Sequence, residues 1–226
     1  MKHSTMKIMS LILAVCMVIS LLPMSVLASG TGWTWNIYLN CNNSGANGVT
    51  VTDGYHTWAD DTKNLGDGTA DNYNIYWDSA NATLHLKDFT LTVTQYYTGI
   101  LVDDPSGSSG KQDFNIVLEG TNTISGDGSY SGKFGALNEA NDTAMMSALN
   151  ISGNGSLNAT ASGGFWMFFA NLTVSGSANV TINSTGVNSP SYPPLISCND
   201  LAVHDTAVLN LNAAKGAACA IYNGKD

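Results

Sequence analysis

The stretch "LNISGNGSLNATA", residues 149–161, is followed 23 residues later by "LTVSGSANVTINS", residues 172–184. Both carry apolar residues at the first and third positions, Gly at the fifth, and apolar residues again at the ninth and eleventh. Alternation with period two is a strand signal, because neighbouring side chains leave on opposite faces. The fifth position interrupts it with a residue that adopts positive φ freely. Each stretch therefore reads as a short strand, a sharp corner and a second short strand, with Asn, Thr and Ser facing outward.

Three further segments follow the same template. Leu84, Leu86, Asp88, Leu91 and Val93 form the first, with one residue missing before Leu91; Ile116, Leu118, Gly120 and Ile124 form the second. Leu201, Val203, Asp205, Leu209 and Leu211 form the fifth. The five starts lie 32, 33, 23 and 29 residues apart. Constant patterning at variable spacing is expected of stacked coils, whose insertions bulge out as loops. Further apolar patches, "TGILV" at 98–102, "FGAL" at 134–137, "FWMFF" at 165–169 and "PPLIS" at 193–197, raise the count to three strands per coil. One coil cannot bury its own inner face, so the chain repeats what it stacks on, about 4.8 Å away. The expectation is an all-β parallel β-helix. A β-sandwich, the rival, would show tight two-residue hairpins, and few are present.

The ends differ from the middle. Lys2, Lys7 and the apolar run "IMSLILAVCMVISLLPMSVLA" predict a signal peptide over residues 1–28, cut after Ala28. Residues 29–75 hold Trp33, Trp35, Tyr38, Tyr55 and Trp58 with little regular pattern, as an N-terminal cap over the first coil would. Residues 76–226 carry the repeats. They end at "AIYNGKD", where another template is due, so the stack is expected to be truncated at its C-terminal end.

Cleavage after residue 28 would remove Lys2 and Lys7 and take the formal net charge from −9 to −11. All the basic residues are Lys, scattered without a basic run, which argues against nucleic acid or an anionic membrane as partner. No later segment has the roughly 18 apolar residues of a membrane span, so no membrane insertion is expected after cleavage. Cys41, Cys198 and Cys219 remain and read as small core residues, with a Cys198–Cys219 bridge left open.

The segments "YWDSANATLHLKDFTLTV", "FNIVLEGTNTISG" and "LNISGNGSLNATA" resemble the clostridial-type extracellular carbohydrate-binding β-helix domains on secreted proteins of Gram-positive anaerobes. The resemblance covers roughly residues 72–226. It implies a right-handed parallel β-helix, binding to a plant-wall polysaccharide such as cellulose or pectin, and bound calcium.

Sugar rings lie on flat aromatic faces with polar groups fixing their orientation. The sequence candidates are Tyr96, Tyr97, Tyr130, Trp166, Phe168 and Tyr192, with core packing the competing reading of "GGFWMFFA". Calcium takes carboxylate and carbonyl oxygens. Asp103 and Asp104 in "VDDPSGSSG", and Asp60 and Asp61 in "WADDTKNLGDGTADN", are the candidate ligands, against a plain turn-forming role. His85 and His204 alternate with inward residues and should point outward.

The function expected is a secreted or cell-surface, non-catalytic module that binds an extracellular polysaccharide. A structural surface spacer or adhesin segment is the alternative. A β-helix lyase or hydrolase is the third: related lyases use calcium with an Arg or Lys base, and this chain has no Arg. A hydrolase needs two carboxyl groups at fixed separation, and Glu119 and Glu139 are the only glutamates.

Overall fold

The computed structural model describes residues 35–41, 47–94, 97–103, 112–126, 138–139, 146–161, 168–184, 196–212 and 221–222. The chain divides into two units, Met1–Gly32 and Trp33–Asp226, and all of these residues belong to the second. The segment read as a signal peptide lies outside them.

The described residues are all-β, apart from a 3-10 turn at Ser79–Asn81. In chain order the strands are β1 (Asn36–Cys41), β2 (Val49–Val51), β3 (Gly54–Ala59), β4 (Asn64–Asp67), β5 (Ile75–Asp78) and β6 (Thr83–Lys87). Then come β7 (Thr90–Thr92), β8 (Thr98–Asp103), β9 (Gln112–Glu119), β10 (Thr121–Gly126), β11 (Asn138–Glu139) and β12 (Met146–Gly153). The last are β13 (Ser156–Ala161), β14 (Phe168–Val174), β15 (Asn179–Ser184), β16 (Ile196–Val203), β17 (Val208–Asn212) and β18 (Ile221–Tyr222).

Three sheets result. One has nine strands in the order β18-β16-β14-β12-β9-β6-β5-β3-β4, one has five in the order β17-β15-β13-β10-β7, and one has four in the order β11-β8-β1-β2. In the five-stranded sheet every pairing is parallel. The nine-stranded sheet is parallel from β6 to β18 and antiparallel from β6 back through β5 and β3 to β4. Each template thus gives its first half to one sheet and its second half to the other.

The core columns follow from that register. Leu149 pairs with Leu172 and Leu172 with Leu201, while Leu157 pairs with Val180 and Val180 with Leu209. Leu149, Leu157, Leu172 and Val180 are buried. In β16, Leu201 and Val203 hold the inward places of the template yet are 38% and 45% exposed.

One detail of the template is corrected. Read from the sequence, Ile116 stacks on Leu149 and Gly120 on Gly153. In the structure Phe114 pairs with Leu149, Ile116 with Ile151 and Leu118 with Gly153, a two-residue offset. The corner is the cause. In the first two repeats the inward run continues through Leu86 and Leu118 before turning at Asp88 and Gly120. From the third repeat onward the turn comes two residues sooner.

The corners also explain why Asp can replace Gly. Asp88 and Asp205 hold positive φ, 48° and 59°, and each carboxylate reaches a neighbouring repeat. Thr121 N–H donates to Asp88 Oδ1 (2.9 Å), and Gly176 N–H donates to Asp205 Oδ2 (2.9 Å). Asn122, next to Thr121, stands fully buried. Its oxygen accepts from Phe89 N–H (3.0 Å), and its amide nitrogen donates to the Glu119 (3.1 Å) and Ser156 (3.0 Å) carbonyls. A buried amide with its groups satisfied adds specificity without the desolvation cost of orphaned polar atoms.

Aromatic rings from the first half of the chain extend this core. Trp35 meets Phe114 edge-on at 5.9 Å, Trp77 stacks on the same ring at 5.7 Å, and Trp58 leans on Phe89 at 6.0 Å. Each such pair adds about 0.5–1.5 kcal/mol beyond burial. Trp35 and Trp77 are core, and Trp58 is half-buried against it.

Candidate functional site

Strands β5 and β6 alternate buried and half-exposed residues, and the half-exposed residues include Tyr76 and His85, joined by Tyr55 of β3. Tyr55 pairs with Tyr76, and Tyr76 pairs with His85. Cross-strand partners on one face lie close enough for their rings to touch. Tyr55 stacks on Tyr76 at 4.2 Å between centroids, with 16° between planes, and His85 leans on Tyr76 at 5.1 Å. Tyr73, in the turn before β5, meets Tyr55 edge-on at 5.2 Å.

Polar groups edge this aromatic row. Tyr73 Oη donates to Glu119 Oε1 (2.9 Å), and Lys87 Nζ lies 3.9 Å from Glu119 Oε2 and 5.0 Å above the Tyr73 ring. Burial, reinforced by Glu119, pushes the Tyr73 hydroxyl up to about 12, so it stays a donor at neutral pH. Burial also holds the His85 ring below the usual histidine range, against the opposing pull of Glu119 and Asp78. His85 is then a neutral aromatic with a polar edge. The arrangement combines apolar ring area with an ammonium, a carboxylate and phenol hydroxyls, the mixture a sugar face requires.

The residues singled out from the sequence fare differently. Tyr97 is half-buried against the core, its N–H donating to the Thr94 carbonyl (2.9 Å). Phe168 opens β14, in register with Ser197. Tyr96, Tyr130, Trp166 and Tyr192 lie outside the described residues. Asp103 ends β8 opposite Asn36, and Asp104 lies outside the described residues.

Asp60 and Asp61 are each hydrogen-bonded by neighbouring groups. Asp60 Oδ1 accepts from Lys63 Nζ (2.7 Å) and from Thr92 N–H (2.8 Å), and Asp61 Oδ1 accepts from Thr62 N–H (2.9 Å). Among the described residues no group of three or more His, Cys, Asp or Glu side chains is placed to hold a metal ion. Partial burial raises the Asp60 carboxyl, but Lys63 and Thr92 outweigh it and hold the group below the usual aspartate range. A depressed native pKa contributes stability that is present above the unfolded value and lost as pH falls through the native one. Asp60→Asn is therefore expected to lower the urea midpoint at pH 7, with the gap to the parent closing below about pH 4. A gap that persists unchanged at pH 2.5 would contradict this.

Cys41 and Cys198 are free, buried thiols, and Cys219 lies outside the described residues. Burial pushes Cys41 up to about 12, so it remains an inert core thiol. His204 is exposed, as its position in the template implied.

The sequence signal for the aromatic row was available but weak. "NIYW" and "LHLK" alternate inward Ile75, Trp77, Leu84 and Leu86 with outward Tyr76 and His85. Only the antiparallel pairing of β5 with β3 and β6 brings Tyr55 beside them. Comparison of the chain with protein-family models, with curated proteins and with solved structures gives no match.

Proposed function

We propose that this chain is an exported, non-catalytic module that binds an extracellular polysaccharide, built as a right-handed parallel β-helix capped at its N-terminal end. The observation that carries the binding reading is the aromatic row of Tyr55, Tyr76, His85 and Tyr73, half-exposed on a sheet face and edged by Lys87 and Glu119. The helix reading is supported by parallel pairing of successive coils in two sheets, and parallel crossovers are right-handed in about 98% of cases. Catalysis has less support: among the described residues Glu119 is held by Tyr73 and Lys87.

The test is retention on insoluble cellulose and on pectin, with and without chelator. Binding is expected, and Tyr76→Ala is expected to weaken it about tenfold, since a lost stacking contact is worth of order 1 kcal/mol or more. Loss on chelation would assign calcium to the interaction. No retention on any polysaccharide would favour a surface spacer or adhesin segment, and release of unsaturated sugar would favour a lyase.

A further inference from the structure

The outer face of the five-stranded sheet carries two long polar rows beside a third, Thr121, Ser156, Asn179 and Val208, whose Val208 is exposed; the nine-stranded sheet has one comparable row, Thr83, Asn115, Asn150 and Thr173. The register of the five-stranded sheet places Thr90, Thr123, Asn158, Thr181 and Asn210 in one row across the strands. Thr92, Ser125, Thr160, Asn183 and Asn212 form the next. All ten are exposed or half-exposed, and none is charged, aromatic or aliphatic. The opposite sheet, by contrast, shows His85, Lys87, Asp113 and Glu119 to solvent.

The rows are held in place by one another. Asn183 donates to Asn158 Oδ1 (2.9 Å), Asn212 donates to Asn183 Oδ1 (2.8 Å), and Asn210 donates to Thr181 Oγ1 (3.2 Å). An amide has two donors and an oxygen with two lone pairs, so a ladder bond fixes its rotamer and still leaves capacity for a ligand. Side chains already ordered lose less entropy on binding. Neighbours recur about 4.8 Å apart across the strands and about 6.7 Å apart along them.

We propose that this face is a second contact surface, and that its ligand is the ordered face of a neutral, insoluble polysaccharide. The inference rests on the polysaccharide-binding reading above. A periodic lattice of donors and acceptors matches a ligand that repeats its hydroxyls and is wide enough to lie across several strands. The absence of charge excludes a partner recognised by its carboxylates or phosphates. The aromatic row then takes a single chain, and this face takes a surface.

The experiment compares the parent with Thr160→Lys plus Thr181→Lys, which places two ammonium groups in the middle of the face, and with Asn158→Ala plus Asn210→Ala, which removes amides without adding bulk. The readouts are retention on microcrystalline cellulose, affinity for a soluble cellulose ether, and the urea midpoint. Both double variants are expected to lose about tenfold in retention on the solid, the loss of a few hydrogen bonds. Binding of the soluble chain should be unchanged in both. Equal retention of parent and the alanine pair would overturn the second surface while leaving the polysaccharide reading intact. A parent retained on no polysaccharide would end both, and growth inhibition of ice crystals by such a parent would reassign the lattice to ordered water.

Discussion

Phe114→Ala is expected to destabilise the protein by about 3–5 kcal/mol, the cost of emptying a fully enclosed phenyl site. Phe114 has no exposed surface, and its ring is held between Trp35 and Trp77. It is also in register with Leu149, so the same ring joins the N-terminal tryptophans to the column that runs through Leu172 and Leu201. Small domains have only about 5–15 kcal/mol in total, so this is a large fraction. Urea denaturation followed by tryptophan fluorescence measures it directly. Phe114→Leu should recover most of the loss, because it restores much of the volume. An alanine variant within about 1 kcal/mol of the parent would mean that the N-terminal strands and the repeats do not share this core.

Gly153→Val should be comparably severe for a different reason. Gly153 has φ of 108°, a region closed to branched side chains, and a Cβ there would lie 2.2 Å from the Leu118 carbonyl oxygen. Backbone strain of about 1–3 kcal/mol adds to the displacement of a carbonyl in the adjacent strand. A loss of about 3 kcal/mol or more in the urea midpoint analysis is expected. Asp205 occupies the same corner two coils on, with φ of 59° and its carboxylate bonded to Gly176 N–H. Asp205→Ala should cost only about 1 kcal/mol, the value of that bond. The reverse order of effects would mean that the register through the corners is wrong.

The columns of Leu149, Leu172 and Leu201 were legible in the sequence because repeats that pair in parallel register must repeat their inward letters. The outward Asn and Thr ladders were legible for the same reason. The two-residue offset at the second repeat was not, because Gly120 and Gly153 look alike as letters while turning at different steps; only Leu118 pairing with Gly153 separates them. The aromatic row was hidden by distance along the chain: Tyr55, Tyr76 and His85 become neighbours through antiparallel pairing, which the template does not encode. Asp60 was read as a candidate calcium ligand because sequence shows a carboxylate but not the Lys63 ammonium folded against it.

The moved corner has a further consequence for how such a chain can lengthen. From residue 149 onward, each repeat pairs with the next at the same steps, so a copied repeat finds a matching register on either side. The junction between β9 and β12 is different: it joins one turning rule to another, and among the described residues it occurs once. Growth by duplication is open on the later side of that junction and closed across it.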